Sequence, residues 1–203
     1  MREKKSDIIY KNNREIILWT IPVIFSAPHA APQTRVWKRK PCDEFTWEIV
    51  RQLCEKTWAY WIIRIENRDD DPNFYNDWLS WEFKDEIINL IKNNWIKYWF
   101  DIHGCKDDLW FSIDIWTNYW ENINQNLDFL MNVQKKLSNN FGRVAVDELF
   151  DAWKLEIVST NVSNQTQCPY IQLEICRLLR ENTDYLVSLI LNLVPEINSD
   201  LNR

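Results

Sequence analysis

A chain of 203 residues with 46% hydrophobic and 27% charged side chains has the size and make-up of one globular domain with a substantial core. Its formal net charge of −6 argues against nucleic-acid binding, which calls for a basic face. No apolar run approaches the roughly 18 residues of a membrane-spanning helix, so neither nucleic acid nor membrane is an expected partner.

Taken in chain order, Pro22 to Ala27 reads as a buried strand and Asp43 to Lys56 as a helix with Phe45, Ile49 and Leu53 on one face. Tyr60 to Ile65 is a second strand. Ser80 is placed to cap a helix whose inner face carries Phe83, Ile87 and Ile91. Ile96 to Ile102 and Phe111 to Ile115 follow as strands, and Ile123, Leu127, Leu130 and Leu137 mark another helix. Arg143 to Val146, Leu155 to Ser159 and Tyr170 to Ile175 read as further strands, and Leu186, Leu189, Ile190 and Leu193 as the inner face of a last helix. No repeat, low-complexity tract or linker interrupts this order. It predicts a single α/β domain over residues 1–203, with a mostly parallel or mixed central sheet and helices on both faces. Such sheets bind their ligands beyond the carboxyl ends of the strands.

The amino terminus has the outline of a secretion signal, a basic Met1 to Lys5 followed by the apolar Ile16 to Ala27. Glu3, Asp7 and Glu15 interrupt the lead-in and Pro22 breaks the apolar run, so no signal is expected. Five cysteines, an odd number without framework spacing, suit a reducing cytoplasm.

One feature of the composition is abnormal: 13 Trp and only 2 Gly. Average usage, about 7%, would give a chain of this size roughly 14 glycines. Trp58 and Trp95 directly follow helix-like stretches, where the backbone often turns left-handed and takes glycine. Trp153, in Asp-Ala-Trp-Lys, sits in a turn signal. The pattern is that of a UGA codon read as glycine in the source and written here as tryptophan. The alternative is a tryptophan-rich core that lacks glycine at nearly every tight turn.

The only two histidines, His29 and His103, both close a predicted strand, where this architecture places its ligands. Glu174 stands in the otherwise apolar run Tyr170 to Ile175. A carboxylate there is costly unless paired, with Arg177 or Arg180 in reach, or engaged at a metal. Asp101 lies two residues from His103 on the same strand face and is placed to orient its imidazole. Arg68, after Asn67, offers the guanidinium fork that matches a carboxylate, or else neutralises Asp69, Asp70 and Asp71. Cys105 reads as a bystander, and the runs Asp69–Asp71 and Asp107–Asp108 as solvated loops.

Ser26-Ala-Pro-His29-Ala, Asp101-Ile-His103-Gly104 and Gln172-Leu-Glu174-Ile-Cys-Arg177 resemble the three signature segments of the N-formylglutamate amidohydrolase family. With tryptophan read as glycine, Trp19-Thr-Ile-Pro and Ile113-Asp-Ile-Trp116-Thr-Asn-Tyr-Trp120 fit two more. The resemblance spans roughly residues 17 to 180 and implies a zinc-exopeptidase-like fold, related to zinc carboxypeptidases, with one zinc per chain. It implies His29 and His103 as ligands and Glu174 as the base. Asn67, Arg68 and Arg177 would bind the carboxylate of a small-molecule substrate. The glutamate expected three residues after the first histidine is absent, and Pro32 stands there. Asp43, Glu44 and Glu48 are the substitutes for the third ligand; Asp43 is the choice, with a helix N-cap as its other reading. The activity implied is metal-dependent hydrolysis of an N-formyl or N-acyl amide on a small acidic amino acid. A peptidase or cell-wall amidase, or a non-catalytic member that binds a small acidic ligand, are the alternatives.

Overall fold

The computed structural model describes residues 8–11, 14–35, 37–67, 69–73, 78–124, 126–149 and 157–193, without the side chains of 78–81. Ten strands run in chain order as β1 (Ile8–Lys11), β2 (Arg14–Ile17), β3 (Ile21–Ala27), β4 (Gln33–Arg35), β5 (Lys38–Lys40), β6 (Ala59–Arg64), β7 (Tyr98–Cys105), β8 (Ile113–Trp116), β9 (Val144–Val146) and β10 (Tyr170–Cys176) among these residues. The helices are α1 (Thr46–Thr57), α2 (Trp78–Asn94), α3 (Leu127–Phe141), α4 (Val158–Thr166), α5 (Arg177–Glu181) and α6 (Thr183–Leu191), with a 3₁₀ turn at Glu121–Ile123.

Eight strands form one mixed sheet in the order β1-β2-β6-β3-β7-β10-β8-β9, while β4 and β5 pair as a separate hairpin. The centre, β6-β3-β7-β10, is parallel, and β8 joins it antiparallel to β10. The expected single α/β domain with a mixed sheet and helices on both faces is what forms. Side chains alternate across it. Phe25, Trp61, Phe100 and Leu173 point to the face covered by α1, α3 and α6, where they pack with Leu53, Leu130 and Leu186. Ile24, Ile62 and Trp99 point to the other face, against Phe83 and Ile87 of α2 and Val158 of α4.

Several elements depart from the sequence reading. The amino-terminal pair β1–β2 extends the sheet antiparallel to β6, and the β4–β5 hairpin follows His29; neither was expected. Helix α1 begins at Thr46, so Asp43 lies ahead of it and is not its N-cap; the N-cap is Phe45. Helix α2 begins at Trp78, so Ser80 lies inside its first turn. Of the strand expected over Leu155 to Ser159, residues 155 and 156 lie outside the described residues, and Val158 and Ser159 open α4. Alternation alone cannot separate a short apolar strand from the start of a buried helix.

Four tryptophans, Trp37, Trp58, Trp95 and Trp120, adopt φ between 55° and 74°. That region suits glycine and strains a bulky L-residue. Trp58 is the C-cap of α1, its N–H bonded to the Cys54 carbonyl at 2.7 Å, and Trp95 directly follows α2. Trp37 is 95% and Trp95 83% exposed, so neither indole contributes to a core. Trp153 lies outside the described residues.

Candidate metal centre

The alternation that builds the core also builds the site. On the face where Trp99 lies, β7 next presents Asp101 and His103, and β10 presents Tyr170, Gln172 and Glu174. Parallel register sets Glu174 beside His103 and Gln172 beside Asp101, and Ser26 of β3 lies beside Asp101 on the other side. His29 follows two residues after β3. Its carbonyl accepts the Asp43 backbone N–H at 2.8 Å, which draws the segment before α1 over the strand ends. One Asp43 carboxylate oxygen, Oδ2, accepts the Gly104 N–H at 3.0 Å.

His29, Asp43 and His103 thus each offer a donor atom within 4.8 Å of the others. Both imidazoles have Nδ1 3.6 Å from the Asp43 Oδ2. Their outer nitrogens are held by carboxylates: His29 Nε2 is 3.0 Å from Asp71 Oδ1, and His103 Nε2 is 3.0 Å from Asp101 Oδ2. A carboxylate only accepts, so each Nε2 carries its proton and, in the neutral ring, each Nδ1 turns a lone pair inward. The spacing of 3.6 Å is too long for a hydrogen bond. It is close to the roughly 3.4 Å between donors of a tetrahedral ion held at about 2.1 Å. The donor set, two nitrogens and one carboxylate oxygen, fits zinc.

The charge balance points the same way. Burial works against a charged His29, yet the Asp43 and Asp71 carboxylates outweigh it and raise its pKa. Burial likewise opposes a charged His103, and Asp101 with Asp43 lifts it well above the ordinary value. Asp43 is pushed up by burial but ends low in answer to the two histidines. The centre therefore favours positive charge. Glu174 is buried, and burial raises its pKa. Its Oε1 accepts the Gln172 amide at 2.6 Å and stands 4.0 Å from His103 Nδ1.

The alternative of an ion pair between Glu174 and Arg177 or Arg180 does not form among the described residues. Arg177 is exposed and pairs with Glu44 and Glu181, each at 3.0 Å. Glu44 and Glu48 stand outside the metal group. Asn67 accepts the Asp69 N–H of its own loop at 3.0 Å and donates to Thr34 Oγ1 of β4 at 3.2 Å. Arg68 lies outside the described residues. Burial pushes the Cys105 thiol up to about 12, so it stays protonated.

Reading the acidic run 69–71 as solvated needs correction, because Asp70 and Asp71 are buried. Asp70 pairs with the buried Arg64, and Asp71 Oδ2 accepts from Arg35 Nε at 2.8 Å while Oδ1 holds His29. An acidic run after a strand looks solvated until the chain folds back. The one sequence clue was Arg35 and Arg64, two arginines near three aspartates. Asp107 and Asp108 are exposed as expected.

Beside the centre opens a cavity of about 700 Å³. Gly104, next to His103, and Cys42, next to Asp43, are among the residues that line it. Lys40, Lys106, Arg177 and Arg180 outnumber Glu44 and Asp107 around it.

No known family profile and no curated protein sequence matches the chain. Its fold does match solved structures. A gene product of Agrobacterium tumefaciens superposes with a TM-score of 0.67 at 14% identity, over 93% of this chain and 94% of that one. The succinylglutamate desuccinylase of Chromobacterium violaceum gives 0.59 at 10% identity, over 89% and 66%. A metallo-carboxypeptidase of Burkholderia cenocepacia gives 0.55 at 13% identity, over 91% and 61%. The chain therefore has the zinc-carboxypeptidase-like fold. At these identities the likeness is one of fold.

Proposed function

We propose that this chain is a metal-dependent amide hydrolase, holding zinc on His29, Asp43 and His103 and cleaving an N-formyl or N-acyl group from a small acidic amino acid, as N-formylglutamate amidohydrolases do. The observation that carries the reading is the pair of carboxylate-backed imidazoles whose Nδ1 atoms both stand 3.6 Å from one oxygen of Asp43. The motif resemblance supports the formyl-amino-acid substrate. The excess of cations around the cavity supports an acidic one.

Zinc bound there supplies a Lewis acid that polarises a carbonyl and acidifies a water. The protein's own groups do the rest. Asp71 and Asp101 fix the tautomer and orientation of the two imidazoles. Gln172 anchors one oxygen of Glu174, and Oε2 is left to take the proton of an attacking water and pass it to the departing amine. Burial lifts Glu174 toward the operating pH, where a base both accepts and returns a proton. Lys40 and Lys106 on the cavity wall would receive the substrate carboxylates.

The volume of about 700 Å³ favours a second reading, a longer acidic peptide. Zinc per chain, followed by amine release from N-formyl-, N-acetyl- and N-succinylglutamate and from short acidic peptides, tests both. One zinc per chain and turnover of an acylated amino acid are expected. Turnover of peptides alone selects the second reading, and no zinc uptake rejects both. Replacing His29 or His103 with Ala should bring bound zinc well below one per chain.

A further inference from the structure

Arg180 is only 5% exposed, yet among the described residues it pairs with no carboxylate. Its guanidinium donates to three backbone carbonyls instead. Nε reaches the Ile175 oxygen at 3.0 Å, Nη2 the Cys105 oxygen at 3.4 Å, and Nη1 the Glu44 oxygen. These three acceptors are not a random set. Ile175 follows Glu174, Glu44 follows Asp43, and Cys105 stands two residues after His103. One buried cation is tied to the three separate segments that carry the third ligand, the second histidine and the base.

Gly104 makes room for it. A Cβ on Gly104 would lie 2.4 Å from Arg180 Cζ and 2.7 Å from each Nη. Gly104 does not have the positive φ that would itself demand glycine; of the two glycines only Gly142 has. The guanidinium therefore rests on bare backbone, and the requirement for glycine here comes from Arg180. Leaving a buried charge on neutral carbonyls is costly, and so is removing a fork that satisfies three of them.

We propose that Arg180 is the positioning residue of the metal centre, its guanidinium seated on Gly104 and holding the Asp43, His103 and Glu174 segments in register. The consequence for catalysis rests on the metallohydrolase reading; the clamp itself does not. A planar fork can hold three carbonyls at once, whereas a lysine ammonium on a flexible stem cannot.

The test uses the full chain with Arg180→Met, Arg180→Lys, Gly104→Ala and the double variant Gly104→Ala/Arg180→Ala beside Arg180→Ala. Zinc affinity is measured by chelator competition, kcat and KM on the amide turned over by wild type, and folding by circular dichroism. The folded Met, Lys and Gly104→Ala variants should each lose about 10-fold or more in zinc affinity, the scale for groups that support metal ligands. Their kcat should fall more than KM rises. In the Arg180→Ala background Gly104→Ala should cost little further, because the atoms it would strike are gone. Wild-type zinc affinity in the folded variants, or an equal Gly104→Ala penalty in both backgrounds, overturns the proposal. If the Arg180 variants do not fold, Gly104→Ala, which deletes nothing, decides by the same measurements. If wild type neither binds zinc nor cleaves amides, the hydrolase reading fails. The clamp is then read in metal-free protein from exchange of the Gly104 amide, which Asp43 accepts. Faster exchange in Arg180→Lys supports it, and unchanged exchange rejects it.

Discussion

Two carboxylates within the same site are assigned opposite tasks, and replacing each with its amide separates them. Glu174→Gln keeps shape and its place beside Gln172 but no longer accepts a proton, so zinc should stay bound while kcat falls about 10²-fold or more. Asp71→Asn keeps Glu174 intact but no longer fixes the His29 tautomer, so zinc affinity itself should fall about 10- to 100-fold. Titrations with a zinc chelator beside steady-state kinetics distinguish the two patterns. Asp114 adds a third carboxylate on the same sheet face, in register with Glu174. Its Oδ2 accepts the Leu149 N–H at 3.2 Å, and its Oδ1 has no hydrogen-bond partner among the described residues. Burial lifts it to about 6, and the nearby Asp147 and Glu148 carboxylates add to the rise. A raised carboxyl binds its proton more tightly in the folded protein. Its contribution is therefore intact at low pH and is lost as pH climbs from the ordinary 3.8 to about 6. Asp114→Asn should then raise the melting temperature of the metal-free protein at about pH 8 and leave it nearly unchanged at about pH 4. An equal gain at both would show that folding does not raise the Asp114 pKa.

At the level of elements, the strands β3, β7 and β10 were legible because each is an apolar run with a polar side chain intruding at period two. That periodicity puts Asp101 and His103 on one face of β7, and the parallel register of β7 and β10 brings Glu174 beside them. Helix α1 was legible too, but not its start, and on that start depends whether Asp43 caps a helix or faces two histidines. The β4–β5 hairpin carries Gln33, Thr34, Lys38, Arg39 and Lys40, with no apolar alternation to announce it. Asp71 was illegible for a related reason. Its partners His29 and Arg35 are distant in sequence, and only the folded loop brings them together. Helix ends, by contrast, were read from a residue that does not belong there. Trp95 closes α2 with φ 55° and its indole in solvent. Trp95→Gly removes the left-handed strain of a side chain that buries nothing, and should stabilise the fold by about 1 kcal/mol in chemical denaturation. A destabilised variant would mean the indole has a partner in solution.

Across the whole molecule, the glycine shortage and the left-handed tryptophans give one expectation. Protein isolated from its native source should have an intact mass below 24.7 kDa, lower by one tryptophan-to-glycine difference for each affected position. A measured mass of 24.7 kDa would make every tryptophan genuine. The β4–β5 hairpin has a consequence on the same scale. Its first strand ends in Arg35, which grips the carboxylate behind His29, and its second ends in Lys40 on the cavity wall. The hairpin thus touches the centre from behind and the cavity from in front, while Lys38, Arg39 and Lys40 lie exposed. Opening it for a protease disturbs Asp71, and a ligand that binds only the closed form must slow that opening. Trypsin, which cuts after lysine and arginine, should nick the chain here more slowly as zinc is added. The nicking rate would then report occupancy without any substrate, and a rate indifferent to zinc would show the hairpin and the centre to be independent.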